Sequence, residues 1–237
     1  MKAVDLFVGS LTRYYSAEWE RVRTSPGGAP SRPIPIFPSP GGGRALVTDP
    51  AVIQPEIERW RRELNEHLAD ILASPLDWAE GMTPPHFSDA LGHTGYSGVI
   101  LLAAYWEQKD LARPKALVVG TSADAAVNAC VEAGAACPLF YTLNAALWLP
   151  TDASFASAVR DPTGVPIRVT SIHLLLNALR TLAAHTWNAT SADLVSWQSR
   201  GIESAATFEE QAQFGLAIFL MMATLAAHHA LPLKLHF

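Results

Sequence analysis

Residues 207–229 read TFEEQAQFGLAIFLMMATLAAHH, and the reading of this stretch decides the fold. It opens as a capping box: the Thr207 hydroxyl can accept from the Glu210 N–H while the Glu210 carboxylate reaches back to the N–H of Thr207. Charge then stops. From Phe214 to Ala227 no side chain ionises, and the one hydroxyl is that of Thr224. A helix that is apolar on every side is buried on every side. The uncharged run is shorter than the roughly 20 residues a bilayer requires. The expectation is therefore a central core helix with the rest of the chain wrapped around it.

Working outward, the tail alternates Leu231, Leu233, Leu235 and Phe237 with Pro232, Lys234 and His236. That is a short amphipathic strand, and its proline places the first residues at a sheet edge. On the other side, Trp187 to Ala206 is polar and reads as irregular. Ser171 caps a helix to about His185 that buries Ile172, Leu175, Leu176, Leu179 and Leu182. Before it, Asp161-Pro-Thr-Gly164 is a turn signal, followed by a half-buried strand over 165–170. Residues 151–159 read as a turn of helix. Between Cys137 and Pro150, Phe140, Tyr141 and Thr142 favour strand, and Leu147 to Leu149 favour strand again. A helix over 123–133 ends at Gly134, and Lys115 to Val119 is a short apolar run of strand type.

The N-terminal half holds a strand over 2–9 with apolar residues on both faces, hence central in its sheet. Ser16 caps a short helix through Trp19 and Val22. Residues 25–43 carry six prolines and five glycines, which argues for a long loop, a Pro/Gly-rich insertion at about 25–45 without regular structure. Asp49, with Pro50 after it, starts a helix to about Ala73 whose buried stripe is Ile53, Ile57, Trp60, Leu64, Leu68 and Ile71. Residues 76–86 read as irregular, and Ser88 as the cap of a short turn. A second strongly apolar helix covers 96–109. The expected fold is α+β and helix-dominated: one globular domain over 1–237, with a small sheet of short strands and a buried C-terminal helix.

Composition bounds the partners. The chain has 237 residues, is 49% hydrophobic and only 16% charged, and carries a net charge of -5. Phosphate neutralisation needs a basic face, so nucleic acid is not expected. Neither is a membrane. The first nine residues lack the apolar centre of a signal peptide because Asp5 interrupts them, and the expected location is the cytoplasm. Cys130 and Cys137 lack metal-ligand spacing and read as two buried thiols. His228 and His229 point about 100° apart on a helix, which suits a helix terminus better than a metal. No metal and no cofactor are expected.

Two stretches hold candidate ligand-binding residues. Ser10, Thr12, Arg13, Tyr14 and Tyr15 leave the end of the first strand, where sheets of α/β type place ligands; Arg13 could grip a carboxylate or phosphate. His93 and Tyr96 belong to Gly92-His-Thr-Gly-Tyr-Ser-Gly98, a glycine-rich stretch before a helix. It is neither a P-loop nor a nucleophile elbow. Its glycines have a second reading, close helix packing. Candidate interface residues are Trp78, Trp148 and Asp152, since exposed tryptophans anchor partners. The leading expectation is a non-catalytic protein-binding module, for example one that neutralises a toxic partner with a basic surface. The rival is a small hydrolase or transferase with its pocket between the 10–15 and 92–98 turns.

Overall fold

The structure, a computed structural model, describes residues 4–18, 36–38, 44–116, 120–201 and 207–237, with the backbone alone at 36–38 and 44–46. Most of the helix expected through Val22, most of the Pro/Gly stretch and the centre of the 115–119 strand lie outside these residues. Ala116 forms one isolated bridge to Thr207.

β1 (Asp5–Val8) runs into α1 (Leu11–Tyr15), capped by Ser10, whose hydroxyl accepts from the Arg13 N–H at 3.2 Å. β2 (Ile36–Pro38) and β3 (Arg44–Leu46) pair as an antiparallel hairpin. Regular structure therefore does occur within the Pro/Gly stretch. The β-formers Ile36 and Phe37 supply it, and Pro38 sits at the strand's end where a missing donor costs least. α2 (Pro50–His67) is capped by Asp49 and buries Ile53, Ile57, Trp60 and Leu64. It stops short of Ala73, and Ile71 is exposed rather than buried.

β4 (Phe87–Ala90) occupies the place expected for a turn at Ser88. α3 (Gly92–Glu107) starts four residues early and absorbs the glycine-rich stretch. α4 (Ala125–Ala133) passes through a 3₁₀ turn (Gly134–Ala136) into α5 (Pro138–Leu143). The expected strand at Phe140–Thr142 is thus a helix: Pro138 suits its first turn, and burial of Phe140 and Leu143 on one side outweighs their β-propensity. β5 (Leu147–Leu149) follows. β6 (Ala156–Arg160) and β7 (Pro166–Ser171) form a hairpin across the Asp161–Gly164 turn. Of the turn of helix expected over 151–159, the last four residues are strand instead, set by pairing with β7, and the rest has no regular structure.

α6 (Ile172–Trp187) is capped by Ser171, and α7 (Ser191–Arg200) occupies the segment expected to be irregular. Its start is a capping box between Thr190 and Asp193. α8 (Phe208–His229) begins with the expected box between Thr207 and Glu210, and the chain closes in β8 (Leu233–His236).

Six strands form one mixed sheet in the order β4-β1-β8-β5-β7-β6, parallel only between β5 and β7. β8 is therefore interior, not an edge. Pro232 precedes the strand and contributes its carbonyl, which accepts from the Gly9 N–H at 3.1 Å. On one face Leu6, Val8, Trp148, Leu233 and Leu235 pack against α3, α6 and α8. On the other, Leu147, Leu149 and Val169 pack with Leu11, Tyr15 and the buried stripe of α2.

At 22 residues α8 is long and apolar enough to cross a membrane by length and composition, but 56% of its most apolar window is buried within the fold. It crosses α3 at glycine. A Cβ on Gly98 would come within 2.8 Å of the Ala212 nitrogen, and one on Gly215 would overlap the Gly95 carbonyl. The Gln211 amide, wholly buried, donates to the Thr94 carbonyl at 2.7 Å across this crossing. Close packing is what Gly95 and Gly98 do, whereas Gly92 turns the chain at φ +65 with open space around it.

Candidate functional site

The 10–15 turn is polar, buried and engaged with its own chain. Short helices leave their first N–H groups without acceptors. Here the Glu80 carboxylate takes them, accepting from the N–H of Leu11 at 3.2 Å, the N–H of Thr12 at 2.9 Å and the Thr12 hydroxyl at 2.7 Å. The Trp78 indole also donates to Glu80. The Ser10 hydroxyl donates to the Gly81 carbonyl at 2.5 Å, and the Arg13 guanidinium to the Met82 carbonyl. Arg13, expected to grip an anion, thus meets a backbone carbonyl, while the chain's own Glu80 carboxylate takes the first N–H groups of α1.

The two tyrosines look inward too. Tyr15 donates to Asp161 at 2.9 Å, and burial, reinforced by that carboxylate, pushes its phenol well above its ordinary value. Asp161 also accepts from the N–H and hydroxyl of Thr163 and the N–H of Val165, which fixes the β6–β7 turn. The Tyr14 oxygen lies 2.6 Å from His236 Nδ1, and its ring is 5.8 Å from the Lys234 ammonium.

His93 and Tyr96 stand on α3. The Tyr96 hydroxyl donates to Asn144 at 2.8 Å, and burial raises it. Tyr96 packs on the helical face of the sheet and Tyr14 on the opposite face, so the sheet separates them. The start of α3 is also occupied: the Gly92 N–H donates to the Val4 carbonyl at 2.8 Å. The structure thus does not bring Tyr14 of the 10–15 turn and Tyr96 of the 92–98 stretch together.

The interface tryptophans need the same correction. Trp148 is wholly inaccessible, its indole donating to the Thr142 carbonyl at 2.8 Å, and Trp78 is buried. Trp148 stands on β5 within the core under the helical layer, and Trp78 packs with the buried stripe of α2, so the fold encloses both. Asp152 alone of the three is exposed, at the rim of a cavity of about 280 Å³ shared with His173. Cys130 and Cys137 are buried and reduced, the Cys130 thiol pushed up to about 12 by burial. Among the described residues no three His, Cys, Asp or Glu side chains gather as metal ligands.

Among the described residues, a groove of about 630 Å³ lies between α6, α7 and α8. α6 supplies Arg180, Ala183 and Ala184; α7 supplies Leu194, Val195 and Gln198; α8 supplies Ala217, Leu220, Met221 and Leu225. Val195 is 63% exposed, a large aliphatic left in water at the mouth. The corner between α6 and α7 is set by Asn188 in the left-handed conformation, φ +48, with the Thr190 box after it. Sequence reading missed this site because it missed α7. The signal was present in Thr190-Ser-Ala-Asp193, a capping box like the one recognised at Thr207. Compared with models of known families, with curated proteins and with solved structures, the chain matches none.

Proposed function

We propose that the protein is a non-catalytic binding module and that the α6–α7–α8 groove is its binding surface. The observation that carries this reading is the wall of Leu194, Val195, Leu220, Met221 and Leu225, aliphatic and open to solvent between three helices. Sites of this kind, concave and largely apolar with few polar groups, are where proteins hold ligands. The hydrolase or transferase alternative draws no support from the 10–15 turn, whose groups are bonded to Glu80, Gly81, Met82, Asp161 and His236. Nor does a basic-surfaced partner find its complement in the groove, whose lining contains Arg180 and no acid.

The test is native mass spectrometry of the tagged chain isolated from its own source cells, beside the variant Met221→Glu. A bound mass present on the wild type and lost from a folded M221E chain supports the reading. A bare wild-type chain, or an adduct that M221E retains, overturns it.

A further inference from the structure

The polar groups of the groove are largely spent within it. Gln198 donates to the Met221 sulfur at 3.1 Å, and the Thr224 hydroxyl to the Leu220 carbonyl at 2.7 Å. What faces the opening is aliphatic, with one formal charge at the end of the α6 wall: Arg180. It is exposed, and among the described residues its guanidinium enters no ion pair or hydrogen bond. We propose that the groove takes a single-chain amphiphile with a carboxylate head, a ligand of the fatty-acid class, with the chain along Leu194, Leu220, Met221 and Leu225 and the head at Arg180. This rests on the groove being the binding surface.

Three considerations select this class. A headless apolar molecule would cover part of Arg180 without giving it a partner, which costs free energy, and a cationic head would be repelled. A carboxylate meets a guanidinium through two parallel hydrogen bonds. The volume, about 630 Å³, falls within the roughly 300–1,000 Å³ of small-molecule sites. The floor is made of small side chains such as Ala217, which leave a trough, and the thioether of Met221 adapts to a flexible chain.

The experiment is isothermal titration calorimetry of the full chain with sodium dodecanoate below its micelle concentration. Decanoate and dodecyltrimethylammonium serve as comparators. One dodecanoate per chain is expected, with weaker binding of decanoate and no saturable binding of the ammonium. Arg180→Gln should weaken dodecanoate about fivefold, the scale of a solvent-exposed charge pair. Met221→Glu should abolish binding, with circular dichroism confirming its fold and Leu225→Gln as a milder second variant. Absence of saturable dodecanoate binding overturns the proposal, as does indifference to head-group charge or to Arg180. If dodecanoate fails while a protein isolated with the chain is lost in M221E, the binding-module reading stands and the amphiphile falls. If the wild type carries nothing and dodecanoate fails, both fall.

Discussion

Lys234 occupies a strand position whose neighbours across the ladders are Phe7 and Leu147. Only 6% of it is exposed, and burial lowers its ammonium from 10.5 to about 8, with Asp161 opposing the shift. Below about pH 8 the folded chain must hold a buried cation. Between about 8 and 10.5 the folded lysine is neutral while the unfolded one is still protonated, so this group's contribution to stability rises with pH through that window. Lys234→Met should therefore stabilise the protein at pH 7, by about 3 kcal/mol at most. The advantage should shrink towards zero by pH 10.5. Urea unfolding of both chains at the two pH values checks this; an equal difference at both would show that the lysine's charge is not what burial penalises. The facing groups are Tyr14, Asp161 and His236, so the same variant reports on the polar cluster under α1.

The crossing of α3 and α8 is the element-scale feature on which the helical layer turns. Gly215 meets Gly95 backbone to backbone, and there is no flexible side-chain end to move aside. Gly215→Ala should destabilise by about 2 kcal/mol or more, as overpacking does, although alanine is otherwise the better helix former. Thermal unfolding decides it, and a neutral result would mean the helices can separate cheaply. α8 and α6 were legible because both signals agreed, a cap followed by a long apolar pattern. α5, α7 and β6 were not. α5 is six residues centred on the β-formers Phe140, Tyr141 and Thr142, held helical by Pro138 and by burial of Phe140. α7 exposes most of its surface, burying Trp197 and half-covering Leu194, so periodicity is faint and only its cap announces it. β6 has a surface pattern with no fully buried residue and exists by pairing with β7. The candidate site suffered for the same reason: one wall of the groove is the faint helix.

At the scale of the whole molecule, the sheet is joined by β8, which lies between β1 and β5 and pairs antiparallel with both. Its alternation was visible in the sequence, but its interior place was not, because Pro232 looks like an edge residue until its carbonyl is seen bound to Gly9. Removing residues 231–237 should leave β4-β1 and β5-β7-β6 as separate pieces and abolish cooperative thermal unfolding; a sharp transition in that truncated chain would show that the helical layer of α3, α6 and α8 is enough to unite the two halves. Strands β1 and β8 are also separated by most of the polypeptide. At a synthesis rate of about 5–20 residues per second, β1 waits on the order of ten to forty seconds for the neighbour that completes it. During translation the nascent chain therefore carries an open strand edge at β1 for that interval, and a second at β5 for the shorter time in which residues 150–232 are made, and a chaperone or a misplaced strand from another chain can reach them in those times.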